Sequence, residues 1–162
     1  MEKKELILTS DLVTKTLKNM GMDYSIDQKE PWHFIVQGMT PKLHIWAPYD
    51  YKTMTIRCDW WFVCDDHEDP EFIAILKETV NYININRTVC SYYTIDCNAR
   101  KLGVHSSLTV LFVPEIGDCE DYLRNVLATF LPAQELFLEE LKKRCSEYLL
   151  ANTLSKTRNI GN

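Results

Sequence analysis

Glycine is scarce in this 162-residue chain, five in all, and neither GxGxxG nor GxxxxGK occurs, so no glycine-rich loop is present to cradle a phosphate with its backbone N–H groups. GxSxG is missing too, and with it the sharp turn that presents a serine nucleophile. The six cysteines stand at 58, 64, 90, 97, 119 and 145 without a CxxC, and no histidine makes an HxH or HxxxH pair. The zinc motifs of known spacing are therefore absent, and no cofactor or metal is expected. Positive charge is also short: the net charge is −5, with lysines and arginines scattered apart from Lys142, Lys143 and Arg144. Phosphate backbones need a concentrated basic surface, so nucleic acid is not an expected partner. No apolar run approaches the roughly 20 residues that cross a bilayer. Leu6 to Leu8, the apolar run before Thr9, is too short for the core of a signal peptide. The expectation is a cytoplasmic protein without a membrane partner, its cysteines reduced and mostly buried as small apolar residues.

What the chain does contain is an ordinary globular balance, 46% hydrophobic and 25% charged, at a length that suits one domain with one core. A single domain over 1–162 is expected, folded between 10 and 150, with a polar tail at 152–162 that frays. Ser10 can cap a first helix carrying Leu12, Val13, Leu17 and Met20 on one side, with Gly21 as its stop. Three strand-like runs follow. Trp32 to Gln37 and the alternation of Leu43, Ile45 and Ala47 come first. In the third, Met54, Ile56, Cys58, Trp60, Phe62 and Cys64 fall on one face and Thr55, Arg57, Asp59, Trp61 and Val63 on the other. Asp69-Pro70-Glu71 is a helix start, and Phe72, Ile73, Leu76, Val80 and Ile83 supply that helix with an apolar stripe. Val89 to Cys97 and Val104 to Val113 are strands joined by a turn over Asn98 to Gly103. From Asp118 to about Leu150 the pattern is helical, kinked or split at Pro132. The order α, β, β, β, α, β, β, α predicts an α+β fold, a five-stranded antiparallel sheet with helices mainly on one face.

That order, with the string Val80-Asn81-Tyr82-Ile83-Asn84-Ile85-Asn86-Arg87 closing the second helix, resembles the YbjN-like family of proposed bacterial sensory-transduction regulators. The layout is also similar to the type III secretion chaperone fold. The resemblance spans roughly residues 10 to 150 in element order. It implies the fold and, through it, a regulatory or chaperone-like role.

Several residues invite a functional reading. Asp65, Asp66, His67, Glu68 and Asp69 could offer metal ligands, but the EF-hand spacing and its glycine are missing, so a solvated loop ending in a helix cap is expected. His33, His44 and His105 lie on strands and are expected to be exposed. Cys119 sits at a helix start among Asp118, Glu120 and Asp121, which oppose thiolate formation. Asn81, Asn84 and Arg87 are expected to satisfy backbone groups near the helix end. The aromatics are more suggestive. If Cys58, Trp60 and Phe62 pack on the helices, alternation points Trp61 away from them, together with Trp46, Tyr92 and Leu111. A sheet face with two indoles is an apolar patch that monomers rarely leave in water. The function expected is a non-enzymatic interaction module, chaperone-like or regulatory, binding a protein or peptide segment or forming a homodimer through those four residues. The alternative is a small-ligand sensor or enzyme whose site assembles from dispersed His, Cys and acidic side chains.

Overall fold

The computed structural model describes residues 8–38, 42–48, 52–65 and 68–160, with side chains described as far as Ala151. Helix α1 (Thr9–Asn19) is followed by strands β1 (Tyr24–Ile26), β2 (His33–Val36), β3 (Leu43–Trp46) and β4 (Thr53–Cys64). Helix α2 (Pro70–Asn86), strands β5 (Cys90–Asp96) and β6 (Lys101–Leu111), and helices α3 (Cys119–Leu127) and α4 (Phe130–Ile160) complete the chain. No helix among the described residues is long and apolar enough to cross a membrane.

The sheet has six strands in the order β1-β2-β3-β4-β6-β5, every neighbouring pair antiparallel. The expected count was one short because β1 is only Tyr-Ser-Ile; three residues hold no readable alternation, and pairing with β2 alone makes them a strand. Phe34, Leu43, Ile45, Met54 and Ile56 form one buried face. Leu12, Val13 and Leu17 of α1 and Leu123 and Val126 of α3 pack onto it. Leu76, Val80 and Ile83 of α2 meet Phe137 and Leu141 of α4 over Leu102 and Val104. All four helices thus contribute to the same side of the sheet, as the sequence predicts.

Local signals decide most helix ends. Asp69 caps α2 by accepting from the N–H groups of Glu71 at 2.9 Å and Phe72 at 3.2 Å, with Pro70 at the first helical position. Ser10, however, is not a cap: α1 starts two residues earlier than such a cap implies, its N-cap position is Leu8, and Ser10 is buried inside the helix. The expected break near Pro132 falls instead at Ala128 and Thr129, which leaves Pro132 in the first turn of α4, where its missing N–H costs nothing.

Asn84 ties α2 to the edge of the sheet. Its side-chain amide donates to the Ser91 carbonyl at 2.9 Å and accepts from the Ser91 N–H at 2.7 Å, imitating the strand that β5 lacks on that side. Asn86 donates back to the Tyr82 carbonyl at 2.7 Å. The asparagine-rich helix end is therefore an anchor for β5, as expected of Asn84, while Asn81 is exposed. Asn84→Ala should lower stability by about 1 kcal/mol in chemical denaturation and speed hydrogen exchange at the Ser91 amide, since two hydrogen bonds pass to water.

Candidate functional site

The face of the sheet turned away from the helices carries the chemistry. Where β4 pairs with β6, Cys58 lies opposite Ser106 and Phe62 opposite Val104, so three residues of β4 face the single residue His105. This bulge is closed by Trp60, whose φ is +54°, a left-handed conformation that is rare for a bulky residue. The turn throws the Trp60 side chain onto the open face, where it remains 39% exposed. Gly103 makes room for it: a Cβ there would collide with the six-membered ring of the indole.

The same bulge reverses the fate of Trp61. Its ring meets Phe137 of α4 edge-on at 5.1 Å and packs against both halves of the core. Trp61 therefore points toward the helices, contrary to the expectation from alternation, and Trp60 takes its place outside. The other three residues lie on the open face as expected. Leu111 is 54% exposed, and Trp46 and Tyr92 are half-buried in stacks.

Two aromatic and polar clusters span this face. In the first, His33 stacks on Trp46 with ring centres 4.2 Å apart, and the Arg57 guanidinium lies over the same indole at 4.7 Å. Trp46 is thus gripped from both neighbouring strands. His33 Nε2 and His44 Nδ1 are 2.9 Å apart and share a hydrogen bond. Burial pushes the His44 imidazole below its usual value, against the pull of the Asp59 carboxylate.

In the second cluster, Asp59 accepts from Arg57 Nε at 3.0 Å and Nη2 at 2.6 Å, and from His105 Nδ1 at 2.9 Å. Burial alone would raise the Asp59 carboxyl, but the hydrogen bonds from Arg57 and His105 and the charge of the Arg57 guanidinium outweigh it and hold the group below the usual carboxylate range. His105 Nε2 meets Thr94 Oγ1 at 2.7 Å. Tyr92 stacks on the His105 ring with centres 4.9 Å apart, and Trp60 meets its edge at 5.3 Å. The expectation of exposed histidines fails here: His33 is 8% and His105 4% exposed, because rings on adjacent strands cover them. Strand alternation places a histidine on a face and is silent about what its cross-strand neighbours lay over it.

The remaining candidates fall elsewhere. Asp66 and His67 lie outside the described residues, while Asp69 is the cap of α2 and Glu68 pairs with Arg100 at 3.4 Å. Among the described residues no three of His, Cys, Asp or Glu converge as a metal ion needs. Cys119 starts α3 beside a cavity of about 340 Å³ lined also by Lys15, Asn19 and Glu120. Burial, followed by the charges of Glu120 and Asp118, pushes its thiol up, away from a reactive thiolate. Of the six cysteines only Cys58 and Cys119 are buried, Cys64 and Cys145 are half-buried, and Cys90 and Cys97 are exposed, so the expectation of mostly buried thiols is not met.

No family model matches the chain, and no curated protein does. Solved structures are more informative. The crystal structure of an uncharacterized protein from Methanothermobacter thermautotrophicus superposes with a TM-score of 0.53 at 16% identity, covering 85% of this chain and 99% of that one. That of YbjN from E. coli, described as a proposed transcription regulator, gives a TM-score of 0.49 at 16% identity, covering 85% of this chain and 92% of that one. The chain shares its α+β fold with the archaeal protein, and YbjN stands among its structural neighbours.

Proposed function

We propose that this chain is a non-enzymatic regulatory module that binds an extended protein segment, or a second copy of itself, across the open face of its sheet. One observation carries the reading. The described helices pack on the other face, while Trp60, Leu111 and Val63 remain 39%, 54% and 45% exposed beside the stacked Trp46 and Tyr92. Apolar surface of that kind gains by being covered. The stacks pre-order the platform, so little side-chain freedom is lost when a partner arrives.

Sedimentation and a displayed peptide library test it together. Wild type is expected to self-associate or to select peptides, and Trp60→Ala with Leu111→Arg should weaken that binding about tenfold or more, as loss of an aromatic anchor does. The same variants should keep their thermal stability within about 1 kcal/mol, because neither side chain belongs to the core. A monomer that selects no peptide sensitive to these changes would overturn the proposal.

A further inference from the structure

The Asp59, His105 and Thr94 side chains form a chain of hydrogen bonds whose direction can be worked out. Asp59 is an acceptor toward Arg57 and His105 alike, so the proton between them sits on His105 Nδ1. The Trp60 N–H, 3.4 Å from that nitrogen, then makes no hydrogen bond to it; the contact at 2.9 Å with the carboxylate takes precedence. In the neutral ring Nε2 is left as an acceptor, and Thr94 Oγ1 at 2.7 Å must be its donor. A hydroxyl that donates to an imidazole oriented by a half-buried carboxylate has the layout of an activated nucleophile. Thr94 is exposed at the residue level while His105 is covered, so the face offers Thr94, and not the base, to an approaching reagent. The surroundings add selectivity. Thr94 pairs with Gly103, and Gly103 with Val63 on its other side; the Trp60 indole lies over that glycine. The hydroxyl thus stands beside an apolar shelf of Trp60 and Val63. The left-handed Trp60 builds that shelf, and strain held at one residue next to polar groups is a mark of function.

We propose that Thr94 is a self-acylation site that takes an apolar acyl group from an activated acyl ester. Thr94 Oγ1 attacks the carbonyl carbon and its proton passes to His105 Nε2. The bond from the carbonyl carbon to the leaving group then breaks, and the proton moves from His105 to the departing oxygen or sulfur. The products are a threonine ester and the free alcohol or thiol. This goes beyond the docking reading and does not depend on it, since it requires one copy of the chain and no partner.

The probe is p-nitrophenyl butyrate, with acetate for comparison, followed by intact-mass and peptide-level mass spectrometry of the full chain. One acyl group per chain at Thr94 is expected, faster for butyrate than for acetate. His105→Gln should slow the reaction roughly 100-fold or more, the usual share of a positioned base, and Asp59→Asn should slow it by turning the imidazole. Because both of those side chains are covered and their variants can lose the fold, Thr94→Ser and Thr94→Val, at an exposed position, give the second test. Serine should keep the label at residue 94 and valine should lose it, both with wild-type thermal melts. Labelling at lysine, cysteine or serine in place of Thr94, no labelling at all, or an unchanged rate in a folded His105→Gln would overturn the assignment.

Discussion

Trp61→Ala is expected to unfold the protein about 3 kcal/mol more easily, a drop of roughly 6–12 °C in melting temperature for a domain of this size. The indole bridges the two halves of the core and meets Phe137 and Phe62 with ring centres 5.1 and 6.3 Å away, so its loss opens a cavity between sheet and α4. Trp61→Phe should cost far less. The indole Nε1 is buried without a hydrogen-bond partner, and phenylalanine removes that desolvated donor along with part of the ring. Differential scanning calorimetry on Trp60→Ala and Trp61→Ala side by side is decisive. Equal melting temperatures for the two would contradict the reversal at the bulge.

Asp59→Ala is the second large change, at about 2 kcal/mol. Arg57, 38% exposed in its side chain, can turn to water, but His105, 5% exposed, loses the acceptor of its Nδ1 proton. The pH dependence carries the sign. The folded-state pKa of Asp59 is depressed, so the unfolded chain takes up the proton first as pH falls. The contribution is fully present above about pH 3.9, the unfolded value, and is lost as pH drops through the folded one. Denaturation curves of wild type and Asp59→Ala should therefore converge on acidification below about pH 4. A gap between them that stays constant would remove the ionic account of this cluster. His44 acts in the same direction at higher pH: with its folded value below 6.5, its contribution is present above the unfolded value and declines as pH falls through it.

Much of this architecture was legible because it depends on neighbours in the chain. The Asp69 cap requires only that a carboxylate precede a proline and two free N–H groups. Met54, Ile56 and Cys58 turn inward on a period of two until the bulge interrupts it. Gly103 was misread as part of a turn. The turn is shorter, ending at Arg100, which itself adopts a φ of +53° with no glycine, and Asp96 steadies it by accepting from Asn98 and Ala99, both at 2.9 Å. A glycine inside a strand signals close approach, and here the approaching group is Trp60, 43 positions earlier in the chain. That pairing has no local trace.

Sequence alone determined the antiparallel α+β plan, the side of the sheet on which helices gather, and the starts of α2 at Asp69 and α3 at Asp118, since each follows from spacing counted along a continuous backbone. Tertiary structure decided which tryptophan is core and which is surface, and it assembled Arg57, Asp59, Thr94 and His105 into one network from three strands. The physical reason is the register of β4 on β6. A bulge between Cys58 and Phe62 redirects Trp60 and Trp61 without altering the hydrophobic pattern on either side, and side chains on different strands meet only after that register is set.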